Sequence, residues 1–264
     1  MNDIHIMLTS PLDQFRILPI FQFHLGSLDL SFTNSALILI LALGSFLFLV
    51  YLFVSPALYL TDNAGIFLVP NNRWFLLIEN LYIVISSLLF DNVGIKGQAY
   101  FPFLFVVFVF VLQSNLIGLI PYSFTVTSHI IVTFALALIV FIGVNIVGVM
   151  IHRVHFLNLF LPSGTALPLA FLLVPLEIVS FLSKPISLSV RLFANMMAGH
   201  TLLKVIAGFA WSMMKGGGLL FVAHVLPLAV LFILVGLELG VAVIQAYVFT
   251  VLTCIYLNDS INLH

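Results

Sequence analysis

The chain has 264 residues, 63% hydrophobic and 6% charged, with a mean hydropathy of +1.29 and a formal net charge of -1. A soluble domain carries about a quarter charged residues. This chain cannot build a water-facing surface from so few, and it reads as an integral membrane protein. A pI near 6.7 leaves no basic footprint for nucleic acid. One cysteine, Cys254, allows neither an internal disulfide nor a cysteine metal cluster; it is expected to be a small membrane-facing side chain.

In chain order, residues 1–34 are mixed in composition and are expected outside the membrane or at its surface. "MNDIHIMLTSPLDQFRILPIF" places acidic residues and prolines ahead of any long apolar run, and shows neither a secretory signal nor an Arg-rich transit pattern. Residues 35–60 are long enough for a first transmembrane helix, which needs roughly 20 residues. The Asn, Gly and Pro content of 61–73 predicts a loop. Residues 74–90 carry Glu79, Asn80 and a serine pair between Arg73 and Asp91, and are read as a helix lying in the interface. A loop over 91–100 leads to a second span at 101–120, ended by Pro121. "YSFTVTS" turns the chain into a third span at 129–151, ended by "HRVH", and a Pro- and Gly-containing loop runs to Pro168.

From Leu167 to Met214 no clear turn interrupts the apolar run except Lys184-Pro185. As one helix it would be roughly 70 Å long against a hydrocarbon core of about 30 Å. It is therefore either two spans hinged at Pro185 or one steeply tilted helix kinked there. "KGGG" at 215–218 is a strong break, and 219–257 repeats the length problem at roughly 60 Å. Lys/Arg placement sets the orientation. Asp3, Asp13 and Asp29 outnumber Arg16 before the first span, whereas Arg73, Lys96 and Arg153 follow the first and third. The N-terminus is thus expected outside and, after five crossings, the C-terminus inside, with Lys215 the one exception.

Polar residues inside this apolar sequence form ordered rows. A charge at mid-bilayer costs on the order of 3 kcal/mol on insertion scales, and persists where it faces protein or a water-filled path. Glu177, Lys184 and Arg191 are spaced by seven, and Asn195 and Ala198 continue their stripe within roughly 60° of arc. His200 falls about 180° from Arg191. After the glycine break, Glu238, Gln245 and Asp259 form a second row. Two antiparallel helices would pair His200 with Glu238 toward the outer side and Glu177 with Asp259 toward the inner side, with Arg191 between. That suits a proton path in two halves split by a cation. Histidine and a buried glutamate can relay protons; arginine cannot give its proton up.

Plainer roles weigh against these. Arg191 could tie helices through Glu177 or Glu238. Lys184 and Lys204 are expected to snorkel to the interface. His224 reads as a satisfied core histidine, and His129, His152 and His155 as interfacial residues at span ends. Gln113 and Asn115 are expected to hydrogen-bond between helices, and Gly236 and Gly240 to admit a close helix neighbour. His200 and Glu238 lack a third ligand, so no metal is expected. Neither a phosphate loop nor a nucleophile triad appears, and no fixed-period repeat supports a secondary transporter.

"RLFANMMAGH" (191–200), "GLELGVAVIQAYVFTVL" (236–252), "SNLIGLIPYSFTVTSH" (114–129) and the ending "YLNDSINLH" resemble, in order and over most of the chain, subunit a of F-type ATP synthases. The resemblance implies a proton-translocating stator subunit of the Fo sector, without a catalytic site or cofactor of its own. Its implied partners are the c-subunit ring, other Fo and peripheral-stalk subunits, the lipid bilayer and protons, with no nucleic acid. It implies that Arg191 faces the ring carboxylate and separates two offset half-channels, with Asn195 as its neighbouring amide. His200 and Glu238 carry the outer channel, in the swapped arrangement usual in mitochondria, which favours the mitochondrial inner membrane. Gln245 matches the polar residue opposite the arginine, and Glu177 and Asp259 the acidic pair of the matrix side. The implied fold is an all-α membrane protein: one separate N-terminal span, an interfacial amphipathic helix, a transmembrane hairpin and two long, near-horizontal helices. Residues 35–264 then form one membrane domain, with a channel-forming hairpin at 167–260.

Overall fold

The computed structural model describes residues 11–25, 28–59, 73–120, 123–153, 156 and 167–262. The loops expected over 61–73 and 156–168 lie almost wholly outside these residues, as do Asp3 and His155. Seven helices follow one another: α1 (Asn34–Tyr59), α2 (Arg73–Val93), α3 (Phe101–Gly118), α4 (Ile130–His152), α5 (Leu167–Lys215), α6 (Gly218–Ala223) and α7 (Val225–Ile261). Ile95–Gly118, Ile130–His152, Phe171–Lys215 and Val225–Ile261 are each long and apolar enough to cross a membrane. The protein is thus a mostly helical, multi-pass membrane protein. α1 has the 26 residues foreseen for a first span, and α2 forms over 21 residues around the stretch expected to be helical.

The fold departs from all-helical ahead of α1. A 3-10 turn at Pro11–Phe15 is followed by two small antiparallel ladders, β1 (Pro19–Phe21) with β4 (Phe32–Thr33), and β2 (His24–Leu25) with β3 (Leu28–Asp29). Asn34 ties this segment to the start of α1. Its side-chain oxygen accepts from the Leu18 and Ser35 amides, and its amide donates to the Arg16 carbonyl.

The long apolar run from Leu167 is one continuous helix of 49 residues, with Pro175 and Pro185 inside it. Each proline removes one backbone donor, but the turns on either side hold, and the hinge into two spans is not formed. Chain reversal falls at the glycines instead: α5 stops at Lys215, and Gly217 and Gly218 take φ of +66° and +58°, a region closed to most side chains. The second long run is not one helix from residue 219. The six-residue α6 ends at Ala223, and α7 starts after His224, which is half-exposed at the break rather than in a core.

Contacts divide the chain into two units. The first comprises Met1–Ile40, Ser114–Thr133 and Ser189–Gln245. Leu192, Met196 and Ala242 are buried within it, together with Val126 and Thr133. The second comprises Leu41–Gln113, Phe134–Leu188 and Ala246–His264, and buries Ile85, Leu89, Leu104, Val140, Phe249 and Cys254. Buried hydroxyls there are satisfied by their own helix: Thr250 donates to the Ala246 carbonyl at 2.9 Å and Thr253 to that of Phe249 at 2.9 Å. Cys254 is 0% exposed, so it packs inside protein and not toward lipid as its sequence context suggested. Large apolar side chains such as Phe171 (87% exposed) and Phe232 (81% exposed) stand on the outside, as a lipid-facing surface requires.

Candidate functional site

In the first unit, Arg191 lies on an exposed face of α5. Among the described residues it has no ion-pair or hydrogen-bond partner; the ion pair resolved there is Lys184–Asp259. The alternative in which Arg191 ties Glu177 or Glu238 is therefore not built. One turn on, Asn195 donates from Nδ2 to Gln245 Oε1 at 2.8 Å. Gln245 is only 4% exposed, so this bond satisfies an amide oxygen that water does not reach.

Glu238 reaches α5 over a glycine. A Cβ at position 199 would lie 3.1 Å from the Glu238 carboxyl carbon and would collide with Oε1. Glycine leaves room for the carboxyl group where it stands, and a larger residue would push it aside. Both Glu238 oxygens and His200 Nε2 are buried with no hydrogen-bond partner among the described residues. Glu238 thus packs against the residue next to His200 in the chain, and no hydrogen bond joins the two among the described residues. Phe15, 9% exposed, sets its ring edge against that of His200, with centroids 6.5 Å apart. Glu238 also lines a small cavity of about 10 Å³, room for roughly one water, with Leu119, Asn195, Met196 and Val241. Three of the residues expected in a proton path therefore come together around one small cavity and its margin: Asn195, Glu238 and Gln245.

Asn115 and His129 belong to the same unit. Asn115 is fully buried and donates from Nδ2 to the Ala242 carbonyl at 3.4 Å, the interhelical bond expected of it, and its Oδ1 is left unpartnered. Gln113 makes no comparable bond among the described residues. His129 is not simply interfacial. It stacks on Phe124 at 5.0 Å, hydrogen-bonds the Phe15 backbone, and keeps Nε2 buried and unpartnered. Burial lowers its pKa below the ordinary histidine value, outweighing the Phe15 bond. The close neighbour expected at Gly236 and Gly240 is not found among the described residues, where a Cβ at either position would meet nothing within 4 Å.

In the second unit, Asp259 pairs with Lys184 and not with Glu177. Lys184 Nζ donates to Asp259 Oδ2 at 3.1 Å and sits 5.8 Å and 5.0 Å from the ring centroids of Phe181 and Tyr256. Lys184 is therefore anchored rather than snorkelling. The pair helps line a small cavity of about 10 Å³ with Phe141, Asn145 and Ser260. Glu177 is half-exposed and makes no bond to Asp259. His152 bonds the Ile261 carbonyl at 2.9 Å through Nε2. Among the described residues no group of three His, Cys, Asp or Glu side chains could hold a metal.

Two features escaped sequence reasoning. Lys184 and Asp259 are 75 residues apart, and no local pattern pairs them. Gly199 did leave a signal, since a glycine inside a helix costs about 1 kcal/mol against alanine and usually has a packing reason.

A family model described as the ATP synthase A chain matches residues 35–258. The chain is 57% identical over 258 residues to ATP synthase subunit a of Pylaiella littoralis, covering 98% of this chain and 100% of that one. It is 52% identical over 260 residues to the subunit a of Chondrus crispus, covering 98% and 99%. It is 44% identical over 260 residues to that of Paramagnetospirillum magneticum, covering 97% and 100%. The chain belongs to the ATP synthase subunit a family, the multi-pass, proton-translocating subunit that works among the other subunits of the Fo sector.

Proposed function

We propose that the chain supplies two offset proton half-channels beside a ring of c subunits, kept apart by Arg191. The observation that carries this is the unpaired Arg191 on the exposed face of an apolar helix. A permanent cation without a counter-ion among the described residues is suited to meet a carboxylate on a partner. An opposite charge a few Å away favours the ionised form of such a carboxylate. A ring carboxylate would pass Arg191 only when ionised, and a protonated one would be disfavoured there.

Uptake runs past His200 and Glu238. The unpartnered Glu238 oxygens and His200 Nε2 support this, because buried polar atoms of that kind are ordinarily met by ordered water. Gln245 and Asn195 hold each other beside that route, which fixes the turn next to Arg191. Release runs past Glu177 and Asp259. A proton taken up on one side leaves on the other only after the ring has carried it round, and rotation follows from that restriction. ATP is made elsewhere in the complex, and this chain has no catalytic site of its own. The peripheral stalk is a further partner.

The compartment is the mitochondrial inner membrane, with the N-terminus toward the intermembrane space and the C-terminus toward the matrix. The His200–Glu238 arrangement and the Lys/Arg distribution support that reading. α2 lies at the membrane surface, its exposed Glu79, Asn80 and Asp91 in keeping with water on one face.

The test is Arg191→Gln in membrane vesicles, with assembly checked on a native gel and ATP synthesis and passive proton leak recorded together. Lost synthesis with intact assembly is expected, and a raised leak would show that the two halves had joined. Normal synthesis in the assembled variant would refute the role given to Arg191.

A further inference from the structure

The stripes of the sequence leave Lys184 without a task, and the geometry around it points to one. Its ammonium group is held by three neighbours, the Asp259 carboxylate and the rings of Phe181 and Tyr256. A lysine that merely snorkels keeps its head in water or among headgroups. This one lines a cavity with Asp259, Asn145 and Ser260, and its side chain is only 25% exposed.

We propose that Lys184 is a positioning residue for proton release, anchoring one oxygen of Asp259 so that the other stays free at the small cavity the two residues line. This rests on the reading of Asp259 as a member of the release path. Oδ2 is the oxygen bound to Lys184, and Oδ1 makes no hydrogen bond among the described residues. An aspartate with both oxygens unanchored would sample several rotamers; one tethered at 3.1 Å to a cation that is itself packed between two rings does not. Transfer needs a near-fixed donor and acceptor geometry, and a displacement of about 1 Å in a positioned group can cost as much as 100-fold.

The surroundings supply no substitute for Lys184. On α7 the neighbours are Tyr256 and Ser260; Ser260 is already committed to the Leu257 carbonyl at 2.8 Å. On α4 the polar neighbour is Asn145, and His152 is engaged with the Ile261 carbonyl. On its own helix the nearest charged residue toward the N-terminus is Glu177, which carries the wrong sign. Arg191, seven residues on, has no bond to Asp259.

The test is a mutant cycle in the assembled synthase, reconstituted in vesicles, reading ATP synthesis driven by an imposed proton gradient. Lys184→Met is expected to lower proton-coupled synthesis about tenfold with assembly intact. Lys184→Arg, which keeps a cation able to pair with a carboxylate, is expected to retain most activity. The double variant Lys184→Met/Asp259→Asn should be no worse than Asp259→Asn alone, because residues acting through one contact are not additive. If Lys184→Met does not assemble, Lys184→Gln replaces it, keeping a donor but not the charge. If neither Lys184→Met nor Lys184→Gln lowers synthesis, the proposal is overturned. It is overturned too by a Lys184→Met that matches the parent while Asp259→Asn is impaired, or by a double variant whose losses multiply; the path reading then stands. Unchanged synthesis in Asp259→Asn instead refutes the place of Asp259 in the path, whatever Lys184 does.

Discussion

Gly199→Ala tests whether the carboxyl position of Glu238 matters. The added Cβ would sit 3.1 Å from the Glu238 carboxyl carbon and 3.4 Å from its Cγ, with Oε1 closer still. Ordinary carbon contacts lie at about 3.5–4.0 Å, so the carboxyl group must retreat by roughly half an ångström to one ångström. Glu238 is displaced at the far end of a flexible side chain, so the packing cost is small, about 1 kcal/mol. Alanine's helix preference over glycine, also about 1 kcal/mol, offsets it. Assembly should therefore survive while a positioned carboxylate moves. A shift of that size is expected to lower ATP synthesis under an imposed gradient between about 3-fold and 30-fold. Gly44→Ala is the control, because nothing lies within 4 Å of a Cβ there, and it is expected to be neutral. Both variants are measured in vesicles, with assembly checked on a native gel. Gly199→Ala indistinguishable from Gly44→Ala would refute the link between the Glu238 position and proton uptake.

Two further outcomes follow from single contacts. Asn195→Leu removes the donor to a nearly buried Gln245 oxygen. It should cost about 1–3 kcal/mol, read as a lower temperature of dissociation of the assembled complex; Gln245→Leu in the same background should add little. Burial lowers the His129 pKa relative to its unfolded value near 6.5. Below that pH the unfolded chain binds the extra proton first. The contribution of neutral His129 is therefore present above about pH 6.5 and is lost as pH falls toward the folded pKa. His129→Gln should flatten the acid side of the unfolding profile of the detergent-solubilised subunit, and an unchanged profile would count against this account.

Helix identity was legible in the sequence because twenty-residue apolar runs have few alternatives in a membrane, where every backbone group must be satisfied internally. The ends were legible where glycine stood, as at Gly217. At Pro185 the sequence allowed either a hinge or one continuous helix. Proline removes one bond from a helix that retains its others on both sides, and α5 runs through it. The break at His224 is marked by Pro227, which lacks the N–H for a bond to residue 223 and suits the first turn of a helix. In the site, the Asn195–Gln245 contact agrees with the two rows expected to face each other at that point. The partner of Asp259 was not legible. Seven-residue spacing puts Glu177 and Lys184 on one stripe alike, and only the three-dimensional register of α5 against α7 selects Lys184. Cys254 failed for the same reason: an apolar sequence around it is equally compatible with lipid and with protein on that face, and only packing distinguishes them.

The unpaired Arg191 has a consequence for the chain outside its complex. A cation within an apolar helix costs on the order of 3 kcal/mol in a bilayer unless it meets an anion or water, and among the described residues Arg191 meets no anion. Function and stability are then opposed at one position, as they often are where a site awaits a partner. Arg191→Leu should abolish proton-coupled ATP synthesis in the assembled enzyme. In membranes lacking c subunits the same substitution should prolong the lifetime of the chain, by removing a charge that no ring carboxylate is present to meet. Both readings come from one pair of strains, with and without the ring, followed by pulse-chase and by synthesis in vesicles. If Arg191→Leu gains nothing when the ring is absent, the charge is already satisfied within the subunit or by water. The lack of a partner for Arg191 would then carry no information about what it faces in the complex. A gain without the ring, together with a loss of synthesis with it, would mean that the arginine is retained for the partner and at a cost to the chain itself.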